Sequence, residues 1–289
     1  MKKAFVQLHI AILLAGFTGV LGRLISINEG LLVWYRMFFA AITLVIMGLI
    51  TKKVSLRFHK SFFPLIVIGF IIALHWVFFY GSIKYSNVSV GLVCFSSIGF
   101  FSSVIEPFVL KRRIDLIEVV LGIAVMLGVY MIFHFANDYK LGIVFGIISS
   151  FLAALFTVLN KLMVGKHNPE TISFYELGGG WVTLTFFLPV YFQFFPVETY
   201  LPTIPDLLWL IVLSLFCTVL AFNLSIRSLQ KISPFTVNLS YNLEPVYGIA
   251  LAFLIYEEHR ELGISFYFGM AIIFLTVLVQ TFRSWVKKS

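Results

Sequence analysis

The stretch Ser233-Pro-Phe-Thr-Val-Asn-Leu-Ser-Tyr-Asn-Leu-Glu-Pro-Val-Tyr-Gly-Ile-Ala-Leu-Ala-Phe-Leu-Ile-Tyr-Glu-Glu-His-Arg-Glu261 decides how the rest of the chain is read. It is apolar enough and long enough to cross a bilayer as a helix, yet Glu244 and Pro245 sit near its middle. Pro245 removes a backbone hydrogen bond and frees the carbonyl one turn earlier, near Tyr241, so the helix is expected to break there. A carboxyl at membrane depth faces a protein interior or a wet cavity, because lipid does not solvate it. A span that tolerates both is expected to line a pathway.

Composition fixes the class. The 289 residues are 60% hydrophobic with 33 Phe, and only 12% are charged, against about 25% in soluble proteins; mean hydropathy is +1.01. A membrane span needs about 20 predominantly apolar residues. That rule yields ten expected spans, at 5–27, 31–51, 62–83, 88–110, 116–134, 140–160, 172–194, 206–227, 233–256 and 264–284. The reading is an all-α integral membrane protein. No loop is long enough to hold a soluble catalytic domain. The first span follows Met1-Lys2-Lys3, as a signal peptide would, but its long apolar run carries Arg23 and lacks a small-residue cleavage site, so it is read as retained. Cys94 and Cys217 both fall inside spans and give no disulfide or metal pattern.

A net charge of +8 raises the question of nucleic acid, and the distribution of charge answers it. With the N-terminus in the cytoplasm and the spans alternating, most basic residues lie inside, among them Lys52, Lys53, Arg57, Lys60, Lys111, Arg112, Arg113, Lys161, Lys166, Arg227, Lys231, Arg283, Lys287 and Lys288. Lys84, Lys140 and Arg260 lie beside outer loops, and Glu29, Asp138, Glu198, Asp206, Glu257, Glu258 and Glu261 fall mostly outside. This is the positive-inside pattern. It predicts both termini in the cytoplasm of a cell (inner or plasma) membrane and no nucleic-acid partner.

Individual spans carry further expectations. Gly16, Gly19 and Arg23 share a face of span one, the glycines for close packing and Arg23 as a charge at the outer mouth. Arg36 in span two either snorkels to the headgroups or attracts anions at the same mouth. His75 either relays protons or bonds to a neighbouring helix, and with Trp76 and Tyr80 it forms a polar, aromatic wall. Span four is rich in Ser and Gly, and its Glu106 stands close enough to Lys111-Arg112-Arg113 for a salt bridge. Gly142 and Gly146 form a packing motif, Glu176 is placed to cap span seven, and Gly178-Gly179-Gly180 is a candidate hinge.

Spans three and eight close on Ser82-Ile-Lys84 and Ser225-Ile-Arg227, each followed by a polar linker and a helix-weakened span. The short link Asn137-Asp138-Tyr139-Lys140 divides the chain into 1–136 and 137–289, five expected spans each. Five is odd, so the halves enter the membrane from opposite sides. Such inverted repeats occur in secondary transporters, with the site between the halves at the midplane.

With Arg36, the region of Asn223, Lys231-Ile-Ser-Pro234 and above all Asn242-Leu-Glu-Pro-Val-Tyr-Gly-Ile-Ala-Leu-Ala-Phe-Leu-Ile-Tyr-Glu-Glu258, the whole chain resembles the EamA-type transporters of the drug/metabolite transporter superfamily. Span four departs from the family's pattern, with Ile98-Gly99 where proline is frequent. The resemblance implies export or exchange of small metabolites, often amino acids, through a central cavity lined by both halves. Glu244 is then expected to bind a substrate ammonium or carry a proton, with Asn238, Tyr241 and Asn242 beside it; the bland alternative is a neutral carboxyl hydrogen-bonded between helices. Coupling to protons is one expectation, and no metal or cofactor is expected. The alternative class is a non-transporting scaffold or a lipid-binding or lipid-flipping protein. No HExxH, nucleophile-base pair or GxxxxGK loop is present, which argues against an enzyme or direct ATP drive.

Overall fold

The structure is a computed structural model, and it describes residues 2–55, 57–135, 139–260 and 262–286. Every regular element among the described residues is helical: α1 (Lys2–Leu24), α2 (Glu29–Thr51), α3 (Phe63–Lys84), α4 (Val88–Phe95), α5 (Ile98–Leu110), α6 (Leu116–Phe135), α7 (Lys140–Met163), α8 (Pro169–Phe194), α9 (Ile204–Ser214), α10 (Ala221–Leu229), α11 (Pro234–Ser240), α12 (Glu244–Tyr256) and α13 (Ile264–Val286), with short 3₁₀ and π turns between some of them. Six of these stretches are long and apolar enough to cross a membrane: Lys2–Leu24, Glu29–Thr51, Lys60–Lys84, Val88–Leu110, Lys140–Met163 and Ile204–Leu229. Leu116–Met131 and Ile264–Thr276 are shorter apolar stretches. The expected division at Asn137 and Asp138 lies outside the described residues, as do Glu261, Lys287 and Lys288.

Helix ends follow the local chemistry of the chain. Asn28, Asn87, Asn168, Thr203 and Ser233 each place a side-chain oxygen on an otherwise free N–H of the first turn, and Pro169 and Pro234 follow two of these caps where no donor is needed. Asn168, not Glu176, therefore caps α8; Glu176 lies a further two turns in and is fully buried. The Gly178-Gly179-Gly180 run does not interrupt the helix, since α8 is continuous from Pro169 to Phe194. Its glycines serve contact: a Cβ on Gly180 would lie 2.4 Å from the Gly69 carbonyl oxygen, so α3 and α8 meet backbone to backbone. Gly146 likewise lets α7 close on α4, where a Cβ would stand 2.5 Å from that of Cys94.

Three of the apolar stretches are interrupted. Tyr241–Leu243 forms a 3₁₀ turn between α11 and α12, directly before Pro245, as the proline predicts. Ser96 and Ser97 separate α4 from α5 with no proline nearby; their hydroxyls donate back to the Leu92 and Cys94 carbonyls and so offer the backbone an alternative to the helix. Between α9 and α10, Leu215–Leu220 is a π turn. The third interruption has no signature in residue type.

Candidate functional site

The three interruptions surround one cavity of about 680 Å³, including the part open to solvent. Its wall draws on both halves of the chain: Ala15 and Thr18 of α1, Arg36 of α2, His75, Trp76 and Phe79 of α3, Phe95 and Ile98 beside the α4–α5 break, Ala153, Phe156 and Thr157 of α7, Cys217 of the π turn, Ala221, Phe222 and Ser225 of α10, Asn238 of α11, then Tyr241 and Glu244.

Arg36 stands in this wall and not at an outer mouth. Seven residues into α2 it is about 10 Å from the helix start, and it shares the buried stripe of Val33, Met37, Ala40 and Leu44, 3% exposed. A side chain on that stripe cannot reach the headgroups. Its Nε donates to Thr218 Oγ1 at 2.6 Å, one Nη to the Tyr80 hydroxyl at 2.7 Å and the other to the Cys217 carbonyl at 3.2 Å. The wider π turn leaves that carbonyl available. The guanidinium carbon lies 3.8 Å from the centroid of the Trp76 ring. Of the five N–H groups a guanidinium carries, three are thus occupied by named partners.

Glu244, 4% exposed, is the first residue of α12, with the Thr18 hydroxyl as hydrogen-bonding neighbour and the Arg36 charge acting on it. No direct ion pair joins Arg36 to Glu244 among the described residues. The cavity therefore holds a guanidinium and a carboxyl that are not joined by direct contact.

The other expected residues divide into wall and support. Asn238 lines the cavity and donates from Nδ2 to Ser102 Oγ of α5 at 2.6 Å. Tyr241 lines it and is bonded to Ser225. Asn242 does not: it turns toward Gly99 of α5, and neither atom of its amide has a partner. Successive residues of a 3₁₀ turn point about 120° apart, so Tyr241 and Asn242 cannot both face the same space. Tyr80 sits behind the wall, where it holds Arg36. His75 bonds to a neighbouring helix: its Nδ1 is 2.9 Å from the Ser149 carbonyl oxygen and 2.8 Å from the Ser149 hydroxyl of α7. Arg23 is ion-paired with Glu258 and stacked 4.5 Å from the Tyr256 ring centroid. Glu258 in turn accepts the Val88 and Ser89 N–H groups at 3.0 and 2.8 Å, so this outer charge fastens the α4 start and is not free at a mouth. Glu106 pairs with Arg112 at 3.1 Å, within the basic cluster expected for it.

Sequence reasoning missed Thr18, Phe79, Phe95, Phe156, Thr157 and Phe222 as wall residues. Thr18 had a signal, being the one polar side chain among the small residues of the α1 face that includes Ala11, Ala15 and Gly22. The phenylalanines had none in a chain with 33 of them.

Fold and cavity together define a helical membrane protein built around a chamber lined by a guanidinium, a buried carboxyl and aromatic side chains. The chain belongs to the EamA-like transporter family, whose model matches it twice, over residues 2–134 and again over 140–282. It is thus a multi-pass membrane transporter and not an enzyme. An "Uncharacterized transporter" of Archaeoglobus fulgidus is 27% identical over 154 residues, 53% of each protein, so the chain spans about half the length of this curated relative in the match. A protein of known crystal structure, 14% identical, superimposes over 96% of this chain and 97% of its own with a TM-score of 0.72, a likeness of fold.

Proposed function

We propose that this transporter moves small zwitterionic metabolites, amino acids among them, by alternating access of the central cavity to the two sides of a cell (inner or plasma) membrane. The observation that carries the reading is the pairing of Arg36 and Glu244 in one cavity without direct contact. A planar guanidinium with spare donors suits a carboxylate, and a buried carboxyl opposite suits an ammonium. One α-amino acid satisfies both, and Trp76, Phe79, Phe156 and Phe222 supply an apolar wall for its side chain. Glu244 is read as the ammonium ligand, Asn238 and Tyr241 as neighbours that orient it, and the break before Pro245 as the feature that opens backbone to the cavity.

The working topology is ten spans in two inverted five-helix repeats, 1–136 and 137–289, with both termini cytoplasmic. Three observations support it. The family match falls as two consecutive copies. The fourth stretch of each half is broken, at Ser96-Ser97 and at Tyr241–Leu243. The basic residues cluster on the loops that this topology puts inside.

The test is untargeted profiling of metabolites in medium and cytoplasm of cells that express the wild-type chain, Glu244→Gln, Arg36→Lys or an empty vector. One class of zwitterion is expected to redistribute only with wild type. Equal redistribution by the two variants would remove Arg36 and Glu244 from the mechanism. No difference between wild type and vector would bring a scaffold or lipid role forward.

A further inference from the structure

One turn beyond the cavity lies a second buried carboxyl that the substrate site does not use. Thr157 of α7 is in the cavity wall, and Asn160 follows it three residues later, about 4.5 Å further along the helix. Asn160 is 1% exposed and donates from Nδ2 to Oε2 of Glu176, on α8, at 3.2 Å. Glu176 is 0% exposed. Its other oxygen, Oε1, has no hydrogen-bond partner, and neither has Asn160 Oδ1.

No charge offsets this carboxyl. The helices packed against α8 are α2, α3 and α10, and α7 reaches it through Asn160. Arg36 of α2 is committed to Thr218, Tyr80 and Cys217, and His75 of α3 to Ser149. Lys161 of α7 donates to the Leu229 and Ile232 carbonyls. Arg227 of α10 is paired with Glu170. Asn160 is the one side chain that acts on Glu176, and no charged group does so among the described residues. A bare carboxylate without a counter-charge is costly at this depth, and two orphaned acceptors in one contact are costly again.

A single proton answers both deficits. Placed on Oε1 and directed to Asn160 Oδ1, it completes a cyclic acid–amide pair, with N–H donating one way and O–H the other, and leaves neither group charged or unpaired. We infer that Glu176 and Asn160 form a proton-binding site, separate from the Arg36–Glu244 cavity, and that this proton is the one coupled to solute movement. The site stands on its own geometry; its coupling role rests on the transporter reading above. Leaving the pair, the proton restores a carboxylate that needs water or a cation, so release belongs to a state in which this end of α8 is wetted. Ser173, a turn earlier on α8, has a buried hydroxyl that also lacks a partner; with it, the oxygens form a set that sodium could occupy instead, and the experiment separates the two.

The full chain is reconstituted in vesicles of phosphatidylethanolamine and phosphatidylglycerol, and infrared difference spectra are recorded between acid and alkaline buffers without any solute. A carboxylic C=O band is expected for wild type, absent in Glu176→Gln and shifted in Asn160→Ala, which keeps the acid but removes its amide partner. Persistence of every band in Glu176→Gln overturns the site, as does a band that follows added sodium at constant pH. Should Glu176→Gln fail to elute as a folded protein, Asn160→Ala decides, because an unshifted band rejects the pair. Flux of a radiolabelled amino-acid mixture then tests coupling: a pH gradient is expected to accelerate wild type and to lose its effect in Asn160→Ala, while exchange at equal pH persists. If wild type moves no amino acid, the substrate reading fails, and the infrared result still judges the proton site.

Discussion

Arg36 donates a 2.7 Å hydrogen bond to the Tyr80 hydroxyl from the adjacent helix, which makes Tyr80 the fixed post behind the cavity's cation. Hydrogen bonds to a charged partner contribute about 1.5–3 kcal/mol. Tyr80→Phe is therefore expected to lower apparent solute affinity by about tenfold or more, because the guanidinium loses one of its anchors. Saturation curves for solute flux check it; an unchanged half-saturation point would detach Tyr80 from the site.

The contact of α3 with α8 predicts a sharp contrast between two glycines. Gly180→Ala puts a methyl 2.4 Å from the Gly69 carbonyl and is expected to cost about 1–3 kcal/mol through overpacking. Gly165→Ala meets nothing within 4 Å and is expected to be neutral. Thermal unfolding of the two variants in detergent measures the difference.

Glu257 and Glu258 are adjacent acids with opposite prospects. Glu258 is buried, pairs with Arg23 and accepts two N–H groups at the start of α4, so Glu258→Ala is expected to destabilise by about 1–3 kcal/mol through the N–H groups it leaves unpaired. Glu257 is exposed and holds φ 53°, a conformation that suits glycine. Its ion pair with Arg260 is a surface one, worth about 0–1 kcal/mol. Glu257→Gly is thus expected to leave the unfolding midpoint unchanged or slightly raised.

The two cysteines report on access. Cys217 lines the cavity, whereas Cys94 is sealed against Gly146 and Ser150. A small methanethiosulfonate reagent is expected to modify Cys217 and spare Cys94, and to block flux in wild type but not in Cys217→Ala. Mass spectrometry of the labelled chain reads the site; modification of Cys94 alone would contradict the position of the cavity.

Much of this architecture is legible in the chain. Apolar length and loop charge gave the helices, and Pro245 located the break before α12. What stayed hidden depends on direction, which composition does not encode. Arg36 reads as an interfacial residue by distance from the helix end, and only its place in the stripe of Val33, Met37 and Ala40 reveals that it points inward. Asn242 reads as equivalent to Asn238 until the 3₁₀ turn separates them. The π turn that frees the Cys217 carbonyl and the serine-led break at Ser96-Ser97 follow from packing and side-chain hydrogen bonds, not from helix-breaking residues.

The two broken helices are fastened to each other near their breaks. Glu106 of α5 accepts the Phe235 N–H of α11 at 2.6 Å, and Ser102 accepts from Asn238 at 2.6 Å. A bend at one break is therefore expected to load the other. In the alternating-access reading the pair is expected to move as one yoke and not as two independent latches, so that holding either helix rigid would immobilise both.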